Sequence, residues 1–144
     1  MPCPEFCLGE ECHMRAWILN NFGPAESGPL KIAEVADPEP LAGEIRVKVS
    51  ACGICRTDLH LVEGELPFCK LPLTPGHQVV GIVDKLGKGV SGFQLGERAG
   101  AAWLFSTCGR CDFCRSGFEN LCEQARFTGC NFDGGFAEYM IAKQ

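Results

Sequence analysis

Four cysteines fall within fifteen residues, Cys108-Gly-Arg-Cys111-Asp-Phe-Cys114-Arg-Ser-Gly-Phe-Glu-Asn-Leu-Cys122, with two, two and seven residues between them. No other feature limits the fold so sharply. The segment has few large apolar side chains from which to build a core, so something other than hydrophobic burial must hold it together. Two-residue gaps let neighbouring thiolates meet on one ion without strain, and the longer gap lets the chain loop back to complete a tetrahedron. The spacing favours zinc, and four protein ligands leave no coordination position open, which makes the site structural. Two other readings exist: an iron–sulfur cluster, and free or disulfide-paired cysteines. The ferredoxin run would place its fourth cysteine three residues on and follow it with proline, whereas here seven residues intervene and Glu123 follows.

The rest of the chain agrees with a metal in a reducing setting. Eleven cysteines among 144 residues is nearly the density of a disulfide scaffold, but the number is odd, and a chain this long can bury a core without staples. The length suits one domain. With 46% hydrophobic and 22% charged residues the composition is globular, and a net charge of -5 argues against a nucleic-acid surface. The longest apolar stretch, around Ala101 to Phe105, falls far short of the roughly 18 residues of a membrane span. The first residues, MPCPEFCLGEECHM, carry acids where a signal peptide needs a basic start. A soluble, cytoplasmic protein is expected, without nucleic-acid or membrane partners.

Residues 1–14, interrupted by Pro2, Pro4 and Gly9, read as a flexible extension, and residues 15–144 as the folded domain. Short strands are expected at Arg15–Leu19 and Leu30–Val35. A half-buried strand is expected at Glu44–Ala51, where Ile45, Val47, Val49 and Ala51 alternate with Glu44, Arg46, Lys48 and Ser50. Further strands are expected at Gln78–Lys85 and Phe136–Ala142. A short helix fits Thr57–Val62, with Thr57 as cap and Asp58 in the first turn. No stretch keeps a helical period for long, so the expected class is mainly β, a barrel or sandwich with short helices. The cysteine lobe, about residues 106–123, interrupts it.

Two of the three histidines lie in the strings Gly53-Ile-Cys55-Arg56-Thr57-Asp58-Leu-His60 and Pro75-Gly76-His77-Gln78. Together with the ordered four-Cys lobe and the closing GGFAEYM, these strings resemble the zinc-dependent alcohol dehydrogenases of the medium-chain dehydrogenase family, over nearly all of residues 15–144. The resemblance implies a GroES-like irregular barrel and a second, catalytic zinc held by Cys55 and His77, with a third ligand outside this chain. A thiolate and an imidazole leave such an ion a Lewis acid. By the same resemblance, Thr57 and His60 form a proton relay, Asp58 orients the ligand histidine and Arg56 meets the pyrophosphate of NAD or NADP. Thr57 and Trp103 wall a pocket for a small alcohol or aldehyde. Each residue also has a plain structural role open to it: a cap for Thr57, a first-turn acid for Asp58, a solvated charge for Arg56, a core ring for Trp103.

Two departures from the family pattern stand out. Gln78 occupies the place where the family commonly has Glu, and removing that negative charge should make the ion more electrophilic; Gln78→Glu is expected to alter turnover while leaving zinc in place. The third ligand of the catalytic zinc and the nicotinamide-binding domain do not occur in these 144 residues, so the chain is expected to be an N-terminal catalytic domain, inactive alone, of an enzyme that is a homo-oligomer when full-length. Cys130 lies too near the lobe to serve as that ligand. Cys52, Cys69 and Cys130 are expected to be buried, inert thiols, and Cys3, Cys7, Cys12 and His13 lack surroundings that would preorganise a site. Gly87-Lys-Gly89-Val-Ser-Gly92 satisfies G-x-G-x-x-G, but Phe93–Gly100 has no helical period, so the motif is assigned to a turn. The competing reading of the whole chain is a non-enzymatic module whose zinc only supports structure.

Overall fold

The computed structural model describes residues 13–144; the expectations for Cys3, Cys7 and Cys12 lie outside the described residues. Strands predominate, all paired antiparallel. β1 (His13–Leu19) and β2 (Leu30–Ala36) form a hairpin. β3 (Glu44–Gly53) lies between β4 (Gln78–Leu86) and β8 (Tyr139–Lys143), and β5 (Arg98–Ala101) adds to β4, giving a four-stranded sheet in the order β5-β4-β3-β8. β6 (Leu104–Ser106) pairs with β7 (Arg126–Phe127). The helices are α1 (Arg56–Val62) and the single turn α2 (Asp112–Arg115). Among the described residues no helix is long and apolar enough to cross a membrane.

One core cluster lies on the inner face of the sheet, where Ile45, Val47, Val79, Val83 and Met140 pack together. A second joins β1, α1 and their connecting loops through Leu19, Leu61, Val62, Leu73, Cys69 and Cys130. Reciprocal backbone hydrogen bonds between Leu19 and Leu73, and one from Trp17 N–H to Phe136 O, tie the hairpin to the body.

Four expectations change. β1 begins at His13, because Met14 points inward and is buried opposite Val35. The alternation of β3 breaks at a register shift between Val49 and Ala51, so Ala51 is exposed and Cys52 packs against the core instead. A bulge adds one residue and reverses the facing of everything beyond it. The last strand starts at Tyr139, since Phe136 uses its backbone groups on Pro75 and Trp17. Cys69 and Cys130 are joined in a disulfide rather than left as inert thiols; both belong to the second core cluster, which brings their loops together. Gly87–Gly92 is a turn between β4 and β5, with Gly87 N–H donating to Glu44 O and Gly43 N–H to Lys88 O, and no helix follows.

Candidate metal centres

In the lobe the chain rises from β6, makes α2 and a 3-10 turn at Glu119–Leu121, and returns through β7. Cys108, Cys111, Cys114 and Cys122 place their sulfurs within 4.8 Å of one another. Cys111 Sγ is 3.5 Å from Cys114 Sγ, and Cys108 Sγ is 3.9 Å from it. A tetrahedron of thiolates about 2.3 Å from zinc has edges of about 3.8 Å, so one ion fits and a multi-iron cluster does not. Backbone N–H groups of Arg110 and Cys111 favour the thiolate of Cys108 and pull its pKa down to about 6. Within the lobe only Cys122 is buried, while Phe113, Phe118 and Leu121 are exposed. The lobe has no core to replace an ion.

The second group is assembled from distant segments. Cys55 is the N-cap of α1: its sulfur accepts Thr57 N–H at 3.3 Å, while the Asp58 carboxylate accepts Cys55 N–H at 2.9 Å. This is a capping box in which Cys takes the place of Ser or Thr. It corrects the expectation that Thr57 is the cap, since Thr57 already lies inside the first turn. His77 is brought opposite by the segment Thr74–Gly76, which is hydrogen-bonded to Gly134, Gly135 and Phe136. Gly76 has a φ of +96°, and a Cβ there would lie 2.7 Å from the Phe136 ring and 2.9 Å from Cys52 Sγ. Only glycine satisfies both conditions.

His77 Nε2 is then 3.2 Å from Cys55 Sγ. A shared zinc at about 2.3 Å from sulfur and 2.0 Å from nitrogen would set the two atoms about 3.5 Å apart. On the other side of the ring, Nδ1 is 3.3 Å from Asp58 Oδ1, without the alignment of a hydrogen bond, and that buried oxygen has no other partner. Asp58 and His77 are 4% and 6% exposed, so this pairing is shielded from water. The donor set and the orphaned oxygen fit a cation held between Cys55 and His77, with Asp58 behind the ring.

A cleft of about 800 Å³ opens over the pair, lined by Cys55, Thr57, Leu66, His77, Gln78 and Trp103. Trp103 meets the His77 ring edge-on at 4.9 Å. The structure thus brings Cys55, Thr57, His77 and Trp103 together, with Asp58 beneath. His60 is not among the lining residues; its Nδ1 faces Glu65 Oε2 at 2.5 Å. Arg56 is exposed on the first turn of α1 and is also outside the lining. Gln78 starts β4 opposite Gly53, where a Cβ would come within 2.7 Å of its amide oxygen. Burial pushes the Cys52 thiol pKa up. Sequence reasoning missed Leu66, and missed Phe127, which stacks on Trp103 at 4.8 Å. The one available signal was the pair of cysteines, Cys69 and Cys130, flanking those residues and left over from both metal groups.

Residues 41–144 match the alcohol dehydrogenase GroES-like domain. The chain belongs to this family. It is 47% identical over 131 residues to "Probable alcohol dehydrogenase AdhA" of Mycobacterium tuberculosis, covering 88% of this chain and 38% of that protein. Among solved structures it resembles a zinc-binding dehydrogenase from Sinorhizobium meliloti 1021 bound to NADP, at a TM-score of 0.82 and 39% identity, over 92% of this chain and 36% of that one. It also resembles a cobalt- and zinc-bound thermostable alcohol dehydrogenase from Pyrobaculum aerophilum, at a TM-score of 0.84 and 29% identity, over 92% of this chain and 40% of that one. The GroES-like, mainly β domain is therefore the fold, and the chain spans less than two fifths of the curated relative's length.

Proposed function

We propose that these 144 residues form the catalytic domain of a zinc-dependent alcohol dehydrogenase that interconverts small alcohols and aldehydes or ketones by hydride transfer to NAD or NADP. The observation that carries the reading is the convergence of Cys55 Sγ and His77 Nε2, 22 residues apart, at 3.2 Å beneath an open cleft. A zinc ion held by these two atoms supplies a Lewis acid that makes an alcohol hydroxyl easier to deprotonate. Asp58 keeps the His77 ring turned with Nε2 toward the cleft. Thr57 stands at the cleft to receive the hydroxyl proton, and His60, one helical turn further along α1, passes it toward solvent. Trp103 forms a wall of the substrate pocket, and the Arg56 guanidinium is free to meet a cofactor pyrophosphate. Cys108, Cys111, Cys114 and Cys122 hold a second, structural zinc.

Hydride transfer requires a nicotinamide-binding part beyond these residues, so the 144-residue chain alone should oxidise no alcohol. In the whole enzyme, nicotinamide reduction by a series of primary and secondary alcohols is expected, and Cys55→Ala and His77→Ala should each reduce it to background. Turnover that persists in both variants would contradict the reading.

A further inference from the structure

We propose that the Cys69–Cys130 bridge is a positioning element of this cleft, holding the Phe127–Trp103 wall against His77 and so fixing the width of the pocket on that side. The inference rests on the dehydrogenase reading above. The two cysteines are 61 residues apart and belong to neither metal group. They are 8% and 0% exposed, in the core cluster against which Leu66, Trp103 and Phe127 pack.

Around the bridge, two loops are tied into one body. Lys70 N–H donates to Cys130 O at 3.0 Å. The Asn131 carboxamide accepts Phe127 N–H at 2.9 Å and donates to Phe68 O at 3.2 Å. Asn131, next to Cys130, thereby fixes both Phe127 and the backbone of Phe68, the neighbour of Cys69. The Phe127 ring stacks on Trp103 with an 18° tilt, and Thr128 N–H donates to Trp103 O at 2.9 Å. Trp103 in turn meets His77 edge-on. A continuous set of contacts therefore runs from the disulfide to the imidazole that faces Cys55, and close-packed side chains transmit a shift instead of absorbing it. Opening the bridge takes two electrons and two protons from an external dithiol, which is oxidised to its own disulfide; the S–S bond becomes two thiols. The loops then lose their covalent tie, Phe127 moves away from Trp103, and the wall recedes from the cleft.

The test uses Trp17→Phe protein loaded with zinc, in which Trp103 is the remaining indole. Non-reducing peptide mapping should recover Cys69 and Cys130 in one linked pair. Cys69→Ala with Cys130→Ala should raise acrylamide quenching of Trp103 severalfold. Selective reduction of the bridge by an external dithiol in the otherwise unsubstituted Trp17→Phe protein should raise it likewise, and it carries the test should the double variant not fold. In the whole dehydrogenase, the same substitutions should raise KM for ethanol by about tenfold, the scale of a methylene-sized misfit, while kcat stays unchanged, as expected for lost ground-state fit. Free thiols at both positions in the native protein, unchanged Trp103 quenching, or a fall in kcat at constant KM would each overturn the proposal. Absence of alcohol oxidation in the unsubstituted enzyme would sink the dehydrogenase reading instead, with Trp103 quenching still deciding whether the bridge holds the wall.

Discussion

In the four-thiol lobe every candidate ligand comes from one stretch of fifteen residues and only Cys122 is buried. In the cleft, Cys55 caps a helix, His77 arrives 22 residues later on another segment, and Asp58 and His77 are both more than nine-tenths buried. The lobe has ligands and no core; the cleft has a core beneath its ligands. In the first case an ion bound by the four thiols would make the structure, because without it nothing opposes the entropy of the loop. In the second, the packing of Leu61, Val62 and Leu73 and the bonds around Gly76 make the structure, and an ion would enter a site already formed.

The sharpest way to break this contrast is to remove the lobe's metal. Structural zinc sites contribute binding energy on the order of 10 kcal/mol that is also folding energy. Cys111→Ser should abolish amide protection across 106–123 in hydrogen exchange and leave β3, β4 and β8 protected. Collapse of the whole chain, or no change in the lobe, would show the two regions to be built alike. A smaller effect belongs to the cleft: Asp58→Asn should weaken its metal by about 10–100-fold, read by competition with a graded chelator, while the lobe metal stays in place. Loss of helix α1 as the main result would show Asp58 to be a cap only.

The smallest effect lies away from both sites. Arg15 donates to Glu138 at 2.8 Å through its side chain and at 2.8 Å through its backbone N–H, which holds the Glu138 pKa below the ordinary value of 4.5. A carboxylate depressed in the folded state stabilises above its unfolded pKa, and that increment disappears as pH falls through the folded value. The pair is exposed and screened by solvent, so the increment is small. Glu138→Gln should remove this part of the acid sensitivity and nothing else, by denaturant titration at neutral and acid pH. A change in metal retention at either centre would couple this ion pair to the sites.

The same contrast explains what could be read from the sequence. Spacing alone brings Cys108, Cys111, Cys114 and Cys122 together, because two-residue gaps constrain geometry locally. The alternation of β3 predicted its inward face as far as Val49, but the bulge before Ala51 has no periodic mark and turned Cys52 inward. Cys55 and His77 were suggested by resemblance, and no local rule predicts a 3.2 Å approach across 22 residues. The two leftover cysteines hint at a bridge, but neither the Cys69–Cys130 pairing nor the stacking of Phe127 on Trp103 follows from sequence, because both depend on two loops meeting in the tertiary fold. The N-cap went to Cys55 and not to Thr57 because sulfur can accept a backbone N–H, a capping choice outside the usual Ser, Thr, Asp and Asn.

The decisive measurement is metal stoichiometry by native mass spectrometry during graded chelation, made on the whole wild-type enzyme and on its Cys55→Ala variant. Two zinc ions per subunit are expected in the wild type, one released early and one held until the lobe unfolds, and a single late-released ion in Cys55→Ala. One zinc in both proteins with the same release curve would contradict this expectation.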